Sequence, residues 1–467
     1  MSLLRIPHRI SLEERLERAA SVANLAMLRT YSEPSHIQIQ TIDWHTFLLE
    51  SELRPIPLDD TPTRKKILDQ LAINRSILAP IRRLPVEIQS EIFSCVQRLS
   101  PLRSLQVMTV ISHVCYTWRA AARGHGTLWT KVVVEKQGDF DDYCERYLPM
   151  TRAVPLELRC DNREILPDLW DLIAPYASRW RRITLVADLS MLSNLKVLYM
   201  ENLERLIVDA YDAPLSAGLS ALDFVVAPRL RHLALTLDAL QSERQLHVPT
   251  IRALTSVDIT AMSPFPVTRT LPLLQACRET MQSLTLRVRY PIEGPEGSYP
   301  RSASDTFVMK ALTHLVLINS ACALLNHIFA PVLHELIIGN VPEYGTRSLM
   351  AFLTRDQTSR HLNSLRVYTV EEKDMASWIP CLQLMDKLRI LYFDDLLSNP
   401  DFLETLFLRA DRPTLLPSLR YIAIWDIFHD NPDLQDIIGR MLGQEFRLTI
   451  LDWGPGTQGM QSGKLAD

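Results

Sequence analysis

Nine short segments of the pattern L-x-x-L-x-L, with other apolar residues replacing some leucines, recur along the 467-residue chain. They begin at Leu203, Leu230, Leu254, Met281, Leu312, Leu333, Leu362, Leu388 and Leu419. Each segment starts 21 to 31 residues after the one before it. Because side chains alternate between the faces of a strand, the last two apolar positions of each segment face the same side. The recurrence therefore predicts repeated units that each contribute one strand to a shared core.

The spacing of these segments is typical of leucine-rich repeats, whose units are about 20–29 residues long. Such units stack into one parallel sheet over a core that no single unit encloses. Residues 154–158 and 183–185 resemble degenerate first repeats, and the Asn or Cys that usually follows the strand is mostly missing. We therefore predict an α/β solenoid with irregular turns, a parallel-strand horseshoe, over residues 150–453, and a flexible glycine-rich tail over residues 454–467. A generic α/β domain with strands separated by helices is the alternative.

The N-terminal part of the chain has helical periodicity, so the chain as a whole is predicted to be α+β. Ser11 and Glu14 have the spacing of a capping box at the start of a helix. Residues 31–54 are mixed, with a turn near Pro34. We assign residues 1–62 to a helical or irregular segment and residues 63–80 to a lead-in helix that ends at Pro80.

Residues 81–131 contain two apolar stripes at helical spacing. Pro85 suits the first turn of a helix, where its missing N–H is not needed. The first stripe consists of Ile88, Ile92, Cys95, Val96 and Leu99; the second consists of Met108, Ile111, Cys115, Trp118 and Ala122. No polar residue of this stretch suggests catalysis. It is either a helical subdomain packed on the rest of the chain or a helical hairpin that binds a partner.

Composition excludes several classes of function. The net charge of −4 and the pI near 6.3 give no electrostatic case for binding nucleic acid or an anionic membrane. No segment resembles a secretory signal or approaches the roughly 18 consecutive apolar residues of a membrane helix. Seven cysteines are scattered without a CxxC pair, which indicates reduced thiols. We therefore expect a protein of the cytoplasm, the nucleus or both.

Catalytic signatures are missing from the sequence. It contains no GxSxG, P-loop, GxGxxG or HExxH motif, and no cluster with metal-ligand spacing. Acidic pairs such as Asp59-Asp60 and Asp141-Asp142 are expected to be solvated. We predict no catalytic residue, no cofactor and no metal, and therefore a protein that is not an enzyme.

The stretch around Leu84 resembles an F-box. The motif is L-P-x-E-I-x3-I-F from Leu84, then V-C-x2-W-R-x2-A from Val114, then Leu128-Trp129. The lead-in A-P-I-R-R from Ala79 resembles that of F-box proteins common in mushroom-forming (basidiomycete) fungi, which typically carry irregular leucine-rich repeats after the box. Gln89 departs from the pattern, because an aliphatic residue is common there. The connection from Leu99 to Val107 also lacks the usual acidic residue.

The resemblance implies a substrate receptor of a Skp–cullin–F-box ubiquitin ligase. The box would bind a Skp-type adaptor and through it a cullin, and the repeats would bind an unknown target protein, without nucleic acid or membrane. By motif position the adaptor contacts are Leu84, Pro85, Ile88, Ile92, Phe93, Val114, Cys115, Trp118, Leu128 and Trp129. The same residues also suit the core of the box itself. A scaffold that uses box and repeats without a ligase is the alternative.

The target surface is predicted from the strand pattern alone. Strand residues that point away from the core leucines would line the binding face of a curved solenoid. They are Arg205, His232, Thr285, His314, Glu335, Arg366, Tyr392 and Tyr421. Their mixture of charged and aromatic side chains suits a protein partner, although an exposed strand face is polar in any case.

Overall fold

The chain divides into two compact units. The first consists of residues 1–133 and 138–156, and the second consists of residues 134–137 and 157–467. The computed structural model describes residues 10–29, 34–57, 60–100, 103–211, 224–237, 253–262, 266–288, 306–341, 345–355, 361–368, 375–394, 416–425 and 447–451. The predicted tail at 454–467 and the first nine residues lie outside the described residues.

The first unit is helical. In its described residues the helices are α1 Leu12–Val22, α2 Leu25–Arg29, α3 His36–Leu53, α4 Thr61–Leu78, α5 Val86–Leu99, α6 Ser104–Val114, α7 Tyr116–Gly124 and α8 Asp139–Arg146. Short 3-10 turns cover Pro80–Arg83, Gly126–Trp129 and Leu148–Thr151. The lead-in helix predicted over residues 63–80 is α4, which begins at Thr61 and ends at Leu78.

Side-chain caps explain where the first helices begin. The Ser11 hydroxyl accepts a hydrogen bond from the Glu14 N–H at 3.2 Å, so the predicted cap of α1 is present. Helix α3 fills most of the region that looked mixed in the sequence. Its start is fixed by a full capping box, in which Ser35 and Gln38 each bond the backbone N–H of the other.

The N-terminal helices pack through a small apolar core. A series of hydrogen-bonded polar side chains lies beside it. Ala19, Leu49, Ile67 and Leu71 are buried together. Beside them, the Gln70 amide donates to the Ala23 carbonyl at 2.8 Å and to Asn74 Oδ1 at 2.9 Å. Asn74 in turn donates to Thr46 Oγ1 at 3.1 Å. Because the amides of Gln70 and Asn74 both form hydrogen bonds, and Asn74 bonds to a residue of α3, these buried side chains fix how α3 and α4 face each other.

Strands dominate the rest of the chain. They are β1 Lys131–Val134, β2 Leu156–Cys160, β3 Trp180–Asp188, β4 Leu198–Tyr199, β5 Arg205–Tyr211, β6 Val225–Val226, β7 His232–Leu237, β8 Ser256–Ala261, β9 Ser283–Val288, β10 Phe307–Val308, β11 His314–Ile318, β12 Ile328–Phe329, β13 Glu335–Gly339, β14 Ser364–Tyr368, β15 Ile390–Asp394, β16 Tyr421–Trp425 and β17 Arg447–Leu451. The helices among them are α9 Leu166–Ile173, α10 Leu189–Asn194, α11 Leu271–Ala276, α12 Gly345–Thr354 and α13 Met375–Gln383.

Eleven strands of the second unit pair in parallel and in chain order. The order is β3-β5-β7-β8-β9-β11-β13-β14-β15-β16-β17. The short strands between them form two separate parallel pairs, β4 with β6 and β10 with β12. Parallel strands need a crossover connection, and the intervening helices and 3-10 turns supply it in several units. The second unit is therefore an α/β fold with a parallel sheet.

The leucine pattern accounts for where the strands lie. Each of the nine predicted segments supplies one strand, which begins two residues after the first apolar residue of its segment. That first residue is buried in every segment, as Leu203, Leu312 and Leu333 illustrate. The two degenerate segments coincide with β2 and β3. The predicted parallel strands are thus confirmed, and β17 is a strand that the pattern did not indicate.

Candidate interaction surfaces

Helix α5 buries a partly polar face within the first unit. Its buried residues are Gln89, Ser90, Phe93 and Gln97. The apolar stripe predicted on this helix is instead partly open, since Ile88 is 47% exposed and Leu99 is 83% exposed. The stripe is therefore rotated from the face that packs inward.

Two glutamine amides make the polar face of α5 suitable for burial. Gln89 Nε2 donates to the Leu84 carbonyl at 2.9 Å and to the Ile81 carbonyl at 3.2 Å. Gln97 Nε2 donates to the Leu128 carbonyl at 2.8 Å and to Ser104 Oγ at 3.3 Å. Gln89, which departs from the F-box pattern, therefore ties α5 to the preceding 3-10 turn.

The centre of this helical region is an aromatic cluster. Phe93 lies against Trp118, with ring centroids 5.1 Å apart. Trp129 stacks on Tyr147 at 5.3 Å and donates its indole N–H to the Ala122 carbonyl at 2.7 Å. Phe93, Leu128 and Trp129 are enclosed in this core, so they stabilise the module from inside. A partner of the folded module meets other residues.

The second predicted helix is two helices, which corrects the single stripe read from the sequence. Cys115 is extended, with φ −157° and ψ 173°, and separates α6 from α7. Its Sγ accepts from the Trp118 N–H at 3.5 Å, as an N-cap does. Arg119 Nε donates to the Ser112 carbonyl at 3.0 Å across the break. Helix α7 ends at Gly124.

The predicted adaptor contacts therefore separate by exposure. Pro85, Ile88 and Val114 are exposed. Leu84, Ile92, Cys115 and Trp118 are half-buried. Further apolar side chains that the motif did not mark are also exposed around them; these are Val86, Leu99, Val110 and Tyr116. So many exposed apolar side chains on α5, α6 and the start of α7 are typical of a surface that a partner covers.

In the second unit, the predicted target residues lie on one side of the sheet, which we call the open face. It is formed by the strand residues that alternate with the buried apolar ones. Strand registers join Arg205, His232, His314, Glu335 and Tyr421 in one row, which also contains Ser256, Ser283, Ser364 and Ile390. Thr285, Arg366 and Tyr392 lie in the adjacent row.

The open face changes in character along the sheet. Around β8 and β9 it is polar, and Asp258 pairs with Arg287 at 2.8 Å. Around β11 and β13 it carries the half-buried aliphatic side chains of Val316, Ile318 and Ile337. Tyrosines follow in β14, β15 and β16; Tyr368 and Tyr421 are half-buried, and the predicted target residue Tyr392 is buried, at 9% exposure. Gly339 leaves space for Ile318, whose Cδ1 lies 2.7 Å from where a Cβ would stand.

Three predicted target residues form one polar group on this face. Arg366 Nη2 lies 2.9 Å from a Glu335 carboxylate oxygen, and His314 Nε2 lies 3.9 Å from the other. The three residues come from three neighbouring strands, so the sheet register brings them together. Arg205 and His232 adjoin each other three strands away, where burial, and then the charge of Arg205, lower the pKa of His232.

The described residues show little that suits catalysis. Among them, no group of three or more His, Cys, Asp or Glu side chains is arranged to hold a metal ion. Burial raises the pKa of Cys277 and Cys322 to about 12 and that of Cys381 to about 11, which disfavours the nucleophilic thiolate. No described helix combines the length and apolar character needed to cross a membrane.

The helical module matches a known protein family. Residues 81–135 match the family model of F-box-like domains, which confirms the F-box predicted for this region. F-box-like domains are protein-interaction modules, typical of adaptors of Skp–cullin–F-box ubiquitin ligases, and they commonly bind Skp-type adaptors. No curated protein matches the chain.

Proposed function

We propose that this protein is the substrate-recognition subunit of a Skp–cullin–F-box ubiquitin ligase. Its F-box-like module binds a Skp-type adaptor and through it a cullin, and its second unit binds the target protein. The observation that carries this proposal is the F-box-like match at residues 81–135. The protein has no catalytic step of its own, and it acts in the cytoplasm, the nucleus or both.

The exposed apolar side chains of the module support adaptor binding. Apolar groups that become desolvated at an interface carry much of its binding energy. Ile88 on α5 and Val114 at the end of α6 are 47% and 57% exposed, while the core beneath them is complete. The module can therefore bind a partner through these side chains without unfolding.

The second unit is proposed to be a leucine-rich-repeat solenoid, as in the fungal F-box proteins that the sequence resembles. The chain-order parallel sheet and the buried apolar triplets support this assignment. Asn319 follows β11 with φ 60° and donates to the Val288 carbonyl at the end of β9, at 2.6 Å. This is the role expected of an asparagine that joins adjacent repeat turns. The open face is the proposed target surface.

Capture of a recombinant Skp-type adaptor by the full-length protein tests the proposal. The test variant combines Ile88→Glu with Val114→Lys, because an acidic residue suits the start of a helix and a basic one suits its end. The matched control is Val197→Lys, since Val197 is also 57% exposed but belongs to the second unit. We expect the double variant to bind at least tenfold more weakly and the control to bind like the wild type.

Two results contradict the proposal in different ways. If the wild type does not capture the adaptor, the ligase assignment fails and the chain is a scaffold without a ligase. If the wild type and the double variant bind equally, the adaptor binds, but the surface of Ile88 and Val114 is not its site. Circular dichroism of each variant shows that the helices are retained.

A further inference from the structure

The C-terminal part of the open face carries an aromatic patch, formed by Tyr368, Tyr421 and Ile390 around Tyr392, which is only 9% exposed. Tyr368 and Tyr392 lie in adjacent strands with ring centroids 5.4 Å apart. Ile390 pairs in register with Tyr421 and is 38% exposed. Tyrosine offers a large amphipathic contact area with few rotatable bonds, which is why it is enriched where binding energy concentrates. The patch therefore has the composition of a protein-binding surface.

Two arginines lie beside the patch. Arg389 and Arg420 are exposed, and each immediately precedes the first open-face residue of its strand. No described carboxylate pairs with either guanidinium. At the other end of the sheet Arg181 binds Glu204 at 2.8 Å and Arg182 lies 3.4 Å from Glu157, whereas the exposed Arg205 and Arg231 have no ion pair with a described residue. Arg389 and Arg420 therefore place two positive charges, without an ion pair among the described residues, next to the tyrosines.

A buried hydroxyl adds an unused polar atom to the same area. Ser364 lies between Glu335 and Ile390 in the register row and is 8% exposed. Its Oγ has no hydrogen-bond partner in the described part of the protein. A buried hydroxyl without a hydrogen-bond partner destabilises the folded state. A group on a bound partner can form the missing hydrogen bond with Ser364 Oγ.

We propose that the aromatic patch binds an acidic protein segment that contains an apolar anchor residue. The anchor packs on Tyr368, Tyr421 and Ile390, and carboxylates on the segment meet Arg389 and Arg420. This inference rests on the proposed function, because it specifies the kind of target that the open face takes. Tyrosines suit an apolar side chain and guanidinium groups suit carboxylates, so both halves of the surface select the same type of segment.

The test is selection from a displayed library of random 12-residue peptides on the immobilised full-length protein. The variants are Arg389→Glu and Arg420→Glu. The control is Arg231→Glu, because Arg231 is exposed and immediately precedes β7, as Arg389 precedes β15, but lies away from the patch. We expect the wild type to enrich peptides that carry Asp or Glu beside an aromatic or aliphatic residue. By fluorescence anisotropy, a selected peptide should bind each patch variant at least fivefold more weakly and the control within twofold.

Several results overturn the inference. These are a basic consensus, no enrichment over the empty matrix, equal binding by the patch variants, or a single-stranded oligonucleotide that displaces the selected peptide. Adaptor capture is measured on the same samples. If the protein captures the adaptor but binds no acidic peptide, the inference about the patch fails while the ligase assignment stands. If it does not capture the adaptor, the ligase assignment fails.

Discussion

At the scale of single residues, the glutamines of α5 show why hydropathy misassigns a helix face. Gln89 and Gln97 look like surface residues in the sequence, yet both are buried because carbonyl groups receive their amides. Those carbonyls belong to Leu84 and Leu128, and nothing in the local sequence reveals that they are accessible. Sequence reasoning therefore located the helix but not the face that packs inward.

Replacement of Gln97 by Leu should destabilise the F-box-like module. It removes the donor to the Leu128 carbonyl and leaves that group buried and unpaired, at a cost of about 1–3 kcal/mol. In hydrogen exchange of the full-length protein, amides of α5 should then exchange about 5- to 150-fold faster. Gln106→Leu on the exposed side of α6 is the control and should change little. Equal protection in both variants would contradict the role of the amide.

The cysteines should differ sharply in reactivity. Because burial raises the pKa of Cys277 to about 12, its thiolate fraction at pH 8 is about one in ten thousand. A raised pKa keeps the thiol protonated, so a change from pH 8 to pH 10 should still leave Cys277 and Cys322 unmodified. Cys95 is exposed and should react with iodoacetamide in the folded protein. Mass spectrometry of peptides, with and without urea, checks this order.

At the scale of elements, strands were more predictable than helices. The leucine triplets indicate each strand because strand alternation is a local property. Helix α3 was missed because its apolar residues surround it, with Trp44 and Phe47 exposed and Ile42 and Leu49 buried. The break at Cys115 was missed because the apolar spacing continues across it. Periodicity finds an element only when one face is buried along its whole length.

Truncation of Leu336 in β13 should weaken its neighbours more than distant strands. The side chain is fully buried, so Leu336→Ala costs about 2–5 kcal/mol. Leu336 pairs in register with Leu315 in β11 and Leu365 in β14. Hydrogen exchange should accelerate in β11, β13 and β14 and remain unchanged in β3. Leu172→Ala is the control, since Leu172 is 44% exposed. Uniform loss of protection would show that the sheet unfolds as one block.

At the scale of the whole molecule, the arrangement of side chains on the open face depends on registers that the sequence does not state. The list of outward-pointing residues was obtained from strand alternation. The group formed by His314, Glu335 and Arg366 was not, because its successive members are 21 and 31 residues apart in sequence and meet only through strand pairing. The division between a polar and an aromatic part of the face likewise required the strand order.

The chain-order pairing of the sheet also bears on how the protein is made. Each strand of the eleven-strand series after β3 pairs with the member of the series that precedes it in the chain. At typical rates of synthesis, a new strand leaves the ribosome roughly every 1–6 s and finds its partner already formed. Within this series the edge that still lacks its next partner is therefore the newest strand, whereas the short strands β4 and β10 wait for β6 and β12. Such an edge is where misassociation begins, so the order of strands limits that exposure throughout translation.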